Sequence, residues 1–262
     1  MPFEAFQSSV ADRVRDLNHQ YRHHAAIPVL SHALNDPLVG RVAMVSSFGA
    51  ESVVLLHMIS LIDRTTPVVF IDTEMLFDET LAYQTQVAQT LGLTDVRRIS
   101  PTPSDIKQTD PFGRLHLADT TACCNLRKAR PLQQALSGFD AWITGRKRFQ
   151  SGTRQTLDLF ENEDDTRIKI NPLAHWRRED LQDYIINNRL PHHPLVAQGY
   201  PSIGCSPTTC TSKVTAGGDP RAGRWAGNDK TECGIHFGRN GATRTTQTVS
   251  YTHLTLPTNR EV

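Results

Sequence analysis

Between residues 41 and 144 short apolar runs alternate with amphipathic stretches at a regular interval. RVAMVSS (41–47) reads as a buried strand, followed by Phe48-Gly49-Ala50 and a helix from about Glu51 to Ile62. The rhythm repeats as a strand at Pro67–Ile71, the loop DTEMLF, a helix at Asp78–Leu91 and a strand at Val96–Ile99. A third helix is expected from near Cys124 to Leu136, with a strand at Ala141–Thr144 after it. This alternation predicts an α/β fold, a doubly wound, mostly parallel sheet covered on both faces by helices. Ligands of such sheets sit at the carboxyl ends of the strands. The loops at 46–51, 72–77 and 145–154 all begin there.

The flanks differ in character. Residues 1–38 read as polar amphipathic helices that stop at the turn signal Asn35-Asp36-Pro37. ENEDD (161–165) predicts a solvated acidic turn, and RREDLQDYIINNRL (177–190) a helix. Beyond Pro191 the chain is rich in Gly, Pro and Thr to about residue 230, and long irregular segments of this kind are commonly functional. The organisation expected is one domain over 1–238, with N-terminal helices at 1–38 and a mobile catalytic segment at 200–238.

Composition narrows the class. Among 262 residues, 38% are hydrophobic and 21% charged, and the net charge of +1 gives no general attraction to nucleic acid or to a membrane surface. No apolar run approaches the roughly 18–20 residues that span a bilayer. MPFEAFQSSVADRV lacks a signal-peptide pattern, so the expected compartment is the cytoplasm. In that reducing setting five cysteines point to metal binding or catalysis rather than to disulfides.

Several loops could carry the chemistry. SSFGAES (46–52) offers Ser46, Ser47, Gly49 and the amides of a helix N-terminus, which suit a phosphate. A plain strand-to-helix turn capped by serine would read the same way; the loop matches neither a Walker sequence nor a dinucleotide fingerprint. Asp72-Thr73 closes the second strand and could reach a ribose or a base edge. TGRKRFQSGTR (144–154) gathers Arg146, Lys147, Arg148 and Arg154 after a buried strand, either as a solvated face or as a polyanion site. PRAGRW (220–225) places Arg221 and Arg224 near one another, as a clamp or as a surface turn. Cys123-Cys124 and Cys205…Cys210 offer four thiolates in two close pairs, which suits an iron–sulfur cluster or tetrahedral zinc. Adjacent cysteines do not supply the knuckle that zinc prefers. Lys128 lies one turn beyond Cys124. Cys233, near Lys230 and His236, could be a nucleophile of lowered pKa or an inert thiol.

Taken in order, SSFGAES, FIDTEMLFDET, ACCNLRKARPL, TGRKRFQSGTR, INPLAHW, GYPSIGC, RAGRW and KTECGIH resemble the adenylylsulfate reductases of assimilatory sulfate reduction. These form the cluster-containing branch of the phosphoadenylylsulfate reductase family, and the matches span roughly residues 40–238. The double cysteine with the terminal ECGIH is the specific pair. The resemblance implies a sheet of the ATP-pyrophosphatase, adenine nucleotide alpha-hydrolase-like type. It implies that SSFGAES and Asp72-Thr73 hold adenosine and phosphate, and that Lys128, Arg148, Arg221 and Arg224 neutralise the phosphosulfate. His236 joins the substrate site. Cys123, Cys124, Cys205 and Cys210 would bind a [4Fe–4S] cluster. Cys233 would attack sulfur in adenylyl sulfate, expel AMP and leave an S-sulfocysteine, from which thioredoxin or a glutaredoxin-like reductant frees sulfite. A homo-oligomer is compatible with this reading.

Two departures stand out. The family's second pair is CxxC, whereas here Cys205 and Cys210 are separated by four residues, with Thr208 at the usual second-cysteine position. Either Cys210 reaches the cluster through the longer loop, or the cluster has three cysteine ligands and is labile; the first is expected, because two added residues cost little closure entropy. The chain also continues after ECGIH, and residues 239–262 are expected to be a disordered or adventitious tail. Alternatives are the same reaction on 3′-phosphoadenylyl sulfate and an ATP-pyrophosphatase-type adenylating enzyme. For the latter, SSFGAES lacks the second glycine and the aspartate of the usual loop.

Overall fold

In the computed structural model the described residues are 9–150, 154–208, 210–215, 219, 221–224, 237–238 and 241–242. Two helices lead, α1 (Val10–Tyr21) and α2 (Ala26–Asn35). Then β1 (Val42–Ser46), α3 (Ser52–Ile62), β2 (Val68–Ile71), α4 (Asp78–Leu91) and β3 (Val96–Ile99) follow the expected rhythm. Short helices α5 (Pro103–Thr109), α6 (Leu115–Ala118) and α7 (Thr120–Cys124) come next. A π-helical turn at Asn125–Ala129 joins α7 to α8 (Arg130–Ala135), and β4 (Ala141–Ile143) closes the series. Beyond it lie β5 (Phe160–Glu163), β6 (Arg167–Ile170), α9 (Arg178–Asn187) and α10 (Pro194–Ala197).

Six strands form one sheet in the order β3-β2-β1-β4-β6-β5. All neighbours are parallel except β5, which runs antiparallel to β6 at the edge. Strands covered on both faces need apolar residues at every position, which is why β1, β2 and β4 read as continuous runs. Met44, Val68, Phe70 and Ile143 pack in the large core under α2, α3, α4 and α9. Ala43, Val69, Ile71 and Trp142 face the other way, onto Leu132 and Leu136 around α8. The doubly wound arrangement expected from the sequence is therefore present. No helix among the described residues is long and apolar enough to cross a membrane.

Three boundaries differ from expectation. ENEDD is not one solvated turn: residues 161–163 belong to β5, and only Asp164 and Asp165 turn the hairpin, both at positive φ. Glu163 is buried because Trp142 Nε1 donates to it at 2.9 Å and Lys169 Nζ at 3.3 Å. The helix expected from near Cys124 starts at Thr120, where the Asp119 carboxylate accepts from the amides of Thr121 and Ala122. The helix expected over 177–190 is shorter, Arg178–Asn187, and its first turn is fixed by the Arg177 amide donating to Asp180 at 2.7 Å. Of the tail, β7 (Phe237–Gly238) pairs antiparallel with β8 (Gly241–Ala242), and the rest lies outside the described residues.

An edge strand exposes unpaired backbone groups. Here Asn18 of α1 covers them: its amide nitrogen donates to the Phe160 carbonyl at 2.7 Å, and its oxygen accepts from the Phe160 amide at 3.0 Å. Asn18→Ala removes both bonds and is expected to lower stability by about 1–3 kcal/mol. A fall in the urea midpoint at unchanged slope checks it; an unchanged midpoint rejects the clamp.

Candidate functional site

A cavity of about 310 Å³ opens at the carboxyl ends of β1, β2 and β4. The β1–α3 loop forms one wall. Ser46 is buried and its hydroxyl accepts from the Phe48 amide at 3.1 Å, while the Ser52 hydroxyl accepts from the Gly49 amide at 3.0 Å. These bonds hold Phe48 at φ 46°, a left-handed conformation uncommon for a bulky residue. Phe48 is anchored there edge-on against Phe70, with ring centroids 5.2 Å apart. Glu74, in the equivalent loop after β2, is also left-handed at φ 57°. Strained residues of this kind cluster at functional sites.

The opposite wall is cationic. Arg146, Lys147 and Arg154 line the cavity together with Lys169, Arg221 and Arg224, against the carboxylates of Glu51 and Asp219. Most of these cations are backed by a partner. Lys147, 3% exposed, places Nζ 2.5 Å from Glu51, and Arg146 pairs with Glu161. Burial pulls the Lys147 amine below the ordinary lysine value, and Glu51 opposes that pull. Lys169, stacked 4.5 Å over the Trp142 ring, is lowered to about 8 by burial and then by Arg146, with Glu163 acting the other way. Such a wall is suited to a polyanion.

A second, smaller cavity of about 20 Å³ lies beside the first and is lined by all four cysteines of the two pairs. Cys123 and Cys124 come from α7. Cys205 is reached through a bridge with Leu76, and the Ser206 amide donates to the Met75 carbonyl at 2.7 Å. The chain then turns back: the Pro207 carbonyl accepts from the amides of Cys210 and Thr211, at 2.7 and 3.0 Å. This tight turn absorbs the longer spacing and returns Cys210 to the cavity. The Cys123 thiol is pushed up to about 12 by burial first and then by Cys124 and Cys205. Among the described residues no three His, Cys, Asp or Glu side chains gather closely enough to hold a single metal ion.

The two cavities share a wall. Thr73, Lys128, Cys205 and Arg224 line both. Thr73 Oγ1 lies 3.2 Å from Cys205 Sγ. Arg224 Nε donates to the Cys210 carbonyl at 3.2 Å and Nη1 to the Ile203 carbonyl at 2.9 Å, so one guanidinium ties both loops. A Cβ on Gly204 would meet that guanidinium, so a larger residue there would require Arg224 to shift.

Of the residues singled out in the sequence, Ser46, Ser47, Gly49, Thr73, Lys128, Arg221 and Arg224 line the large cavity, and the four cysteines the small one. Two do not line either. Asp72 is buried and its carboxylate is taken by Arg98, at 2.5 and 2.9 Å, and by the Glu74 amide. Arg148 turns away: its amide donates to the Ala174 carbonyl and its Nε to Leu157, with Asp158 3.9 Å from the guanidinium. Its neighbours Arg146, Lys147 and Arg154 take the cavity instead. Glu51, Lys169 and the buried pair Arg127–Asp110 carried no sequence signal of their own. Cys233 and His236 lie outside the described residues.

The chain is similar to known proteins over most of its length. The profile of the phosphoadenosine phosphosulfate reductase domain matches residues 41–211. The adenosine 5′-phosphosulfate reductase of Mesorhizobium japonicum is 48% identical over 228 residues, 87% of this chain and 89% of that protein. The phosphoadenosine 5′-phosphosulfate reductase of Gloeobacter violaceus is 40% identical over 200 residues, 75% of this chain and 82% of that protein. Among solved structures, the phosphoadenylyl-sulfate reductase of Candida auris, a phosphate complex, aligns with a TM-score of 0.66 at 27% identity. It covers 79% of this chain and 98% of that one.

The lowered Lys169 gives a pH prediction. A folded pKa near 8, below the unfolded lysine value of about 10.4, means that the unfolded chain binds more protons between those limits. The destabilisation due to charged Lys169 is full below about pH 8 and is relieved as pH rises towards 10.4. Denaturation should show wild-type stability rising relative to Lys169→Met across that window; a flat difference would contradict the burial argument.

Proposed function

The chain belongs to the phosphoadenosine phosphosulfate reductase family, oxidoreductases acting on sulfur, and we propose that its substrate is adenylyl sulfate, reduced to sulfite and AMP. The observation that carries this reading is the shared wall: a polyanion cavity and a four-thiol cavity meet at Thr73, Lys128, Cys205 and Arg224.

The chain's own residues suit each part of the task. The Ser47–Gly49 loop and the N-terminus of α3 offer donors to the nucleotide phosphate. Lys128, Arg221 and Arg224 offset the phosphosulfate charge, without which an anionic thiolate could not approach. The Candida auris relative, whose structure holds phosphate, supports an anion site in this fold. Cys233 is the nucleophile in this reading. Its thiolate forms a bond to the sulfate sulfur, the bond from that sulfur to the bridging oxygen breaks, and AMP leaves with the electron pair. A reduced dithiol protein such as thioredoxin then attacks the Cys233 sulfur. Sulfite departs, and the second thiol of the dithiol releases Cys233 as it closes the disulfide. Two electrons thus pass from the dithiol to sulfur.

Cys123, Cys124, Cys205 and Cys210 would hold a [4Fe–4S] cluster. The donor set fits, since four thiolates are the usual ligands of such a cluster. Thiols crowded in a buried place, with Cys123 near 12, resist ionisation alone, whereas a bound metal deprotonates them outright. When bound, the cluster supplies a thiolate-ligated iron–sulfur group whose charge and potential act across the shared wall.

The test is sulfite release from adenylyl sulfate and, separately, from its 3′-phosphorylated form, with anaerobically purified protein and thioredoxin. Preference for the unphosphorylated nucleotide is expected, and Cys233→Ser should abolish sulfite release while nucleotide binding persists. Preference for the 3′-phosphate, the substrate named for the Gloeobacter relative, would keep the chemistry and change the substrate. No sulfite from either would reject the reading.

A further inference from the structure

Arg127 is buried on the π-helical turn just past the double cysteine and lines the thiol cavity. Two of its three nitrogens are occupied: Nη2 donates to Asp110 at 2.9 Å and Nη1 to the Thr73 carbonyl at 3.0 Å. The third, Nε, is buried and makes no hydrogen bond. His116 of α6 lines the same cavity, and its Nδ1 is likewise buried without a partner. An unmet buried donor costs about 1–3 kcal/mol, so native structures leave few of them. Two of the few among the described residues meet in one cavity of about 20 Å³, where the four cysteines lie with Thr73, Thr120, Lys128 and Arg224.

We propose that Arg127 Nε–H and His116 Nδ1–H donate hydrogen bonds to sulfur of the iron–sulfur group held by Cys123, Cys124, Cys205 and Cys210. Both are positioning residues, and the inference rests on the cluster reading above. Sulfur in such a group carries much of the negative charge, and N–H donors around it set its stability and potential. Arg127 suits the role because Asp110 and Thr73 have already fixed its plane, so Nε has one direction left. The Asp110 carboxylate also balances its charge, which leaves the guanidinium a directed donor rather than a free cation.

The test uses the full chain loaded with iron and sulfide under anaerobic conditions. Two readouts are taken: the rate at which a ferrous chelator strips iron, and the Fe–S stretching frequencies by resonance Raman. His116→Ala truncates a partly buried side chain on a four-residue helix outside the hydrophobic core and keeps the fold; Arg127→Lys keeps a charge opposite Asp110 and removes Nε. Each is expected to lose iron about tenfold faster or more, with shifted Fe–S stretches. His116→Asn, whose side-chain amide can occupy the place of Nδ1, should restore both. A loaded protein in which both variants match wild type would overturn the inference and leave the cluster reading standing. Faster iron loss with unshifted stretches would overturn it too, since that marks a structural role. If wild type takes up no iron, the cluster reading fails, and this inference with it.

Discussion

Burying cations side by side is unfavourable unless carboxylates stand behind them, and that constraint shapes the carboxyl edge of this sheet. Glu51 stands behind Lys147, Glu161 behind Arg146, and Glu163 behind Lys169. Asn171, fully buried, ties the second of these pairs together by accepting from Arg146 at 3.1 Å and donating to Glu161 at 2.8 Å. The hairpin β5–β6 is what brings Glu161 and Glu163 into place. It is therefore more than an edge to the sheet, and Asn18 of α1, by holding that edge, secures the far support of the cavity. The compensation is partial, as the lowered amines of Lys147 and Lys169 show.

The βα rhythm from β1 to β4 was legible because parallel strands covered on both faces leave unbroken apolar runs. β5 and β6 were not, because their decisive residues are Glu163 and Lys169, which read as solvated until the neighbouring strand supplies Trp142. Among the loops, the double cysteine pointed to the site because cysteine has few other uses at that spacing. A run such as Arg146-Lys147-Arg148 cannot say which cation faces inward. The 3₁₀ turn at Arg148–Gln150 decides it by sending Arg148 to the Ala174 and Leu157 carbonyls. That Asp72 lies off the cavity was illegible for a similar reason: its partner, Arg98, sits on β3, whose register with β2 no linear reading supplies.

The spacing of the second cysteine pair shows how far a local change is absorbed locally. The turn on the Pro207 carbonyl folds the loop back between two held ends, since Cys205 is bridged to Leu76 and Thr211 to Arg224. Both bridges lie outside the added length. The loop can grow because its closure is set by contacts made elsewhere, and closure entropy rises only slowly with length.

Arg127 joins these themes. Its fork fixes the Thr73 carbonyl, and the Thr73 side chain lies against Cys205 in the shared wall. Asp110, which neutralises it, also accepts from the Leu115 amide at 2.9 Å and so sets the start of the helix that carries His116. One buried ion pair thus positions three elements around the thiols: the loop after β2, the π-helical turn, and α6. Replacing the pair by apolar side chains of similar size could preserve stability, since a buried ion pair is a weak source of it. What such a replacement could not preserve is direction. Only the pair gives the cavity a rigid donor on one side and an aligned carbonyl on the other, and it is on that alignment that the wall between the two cavities depends.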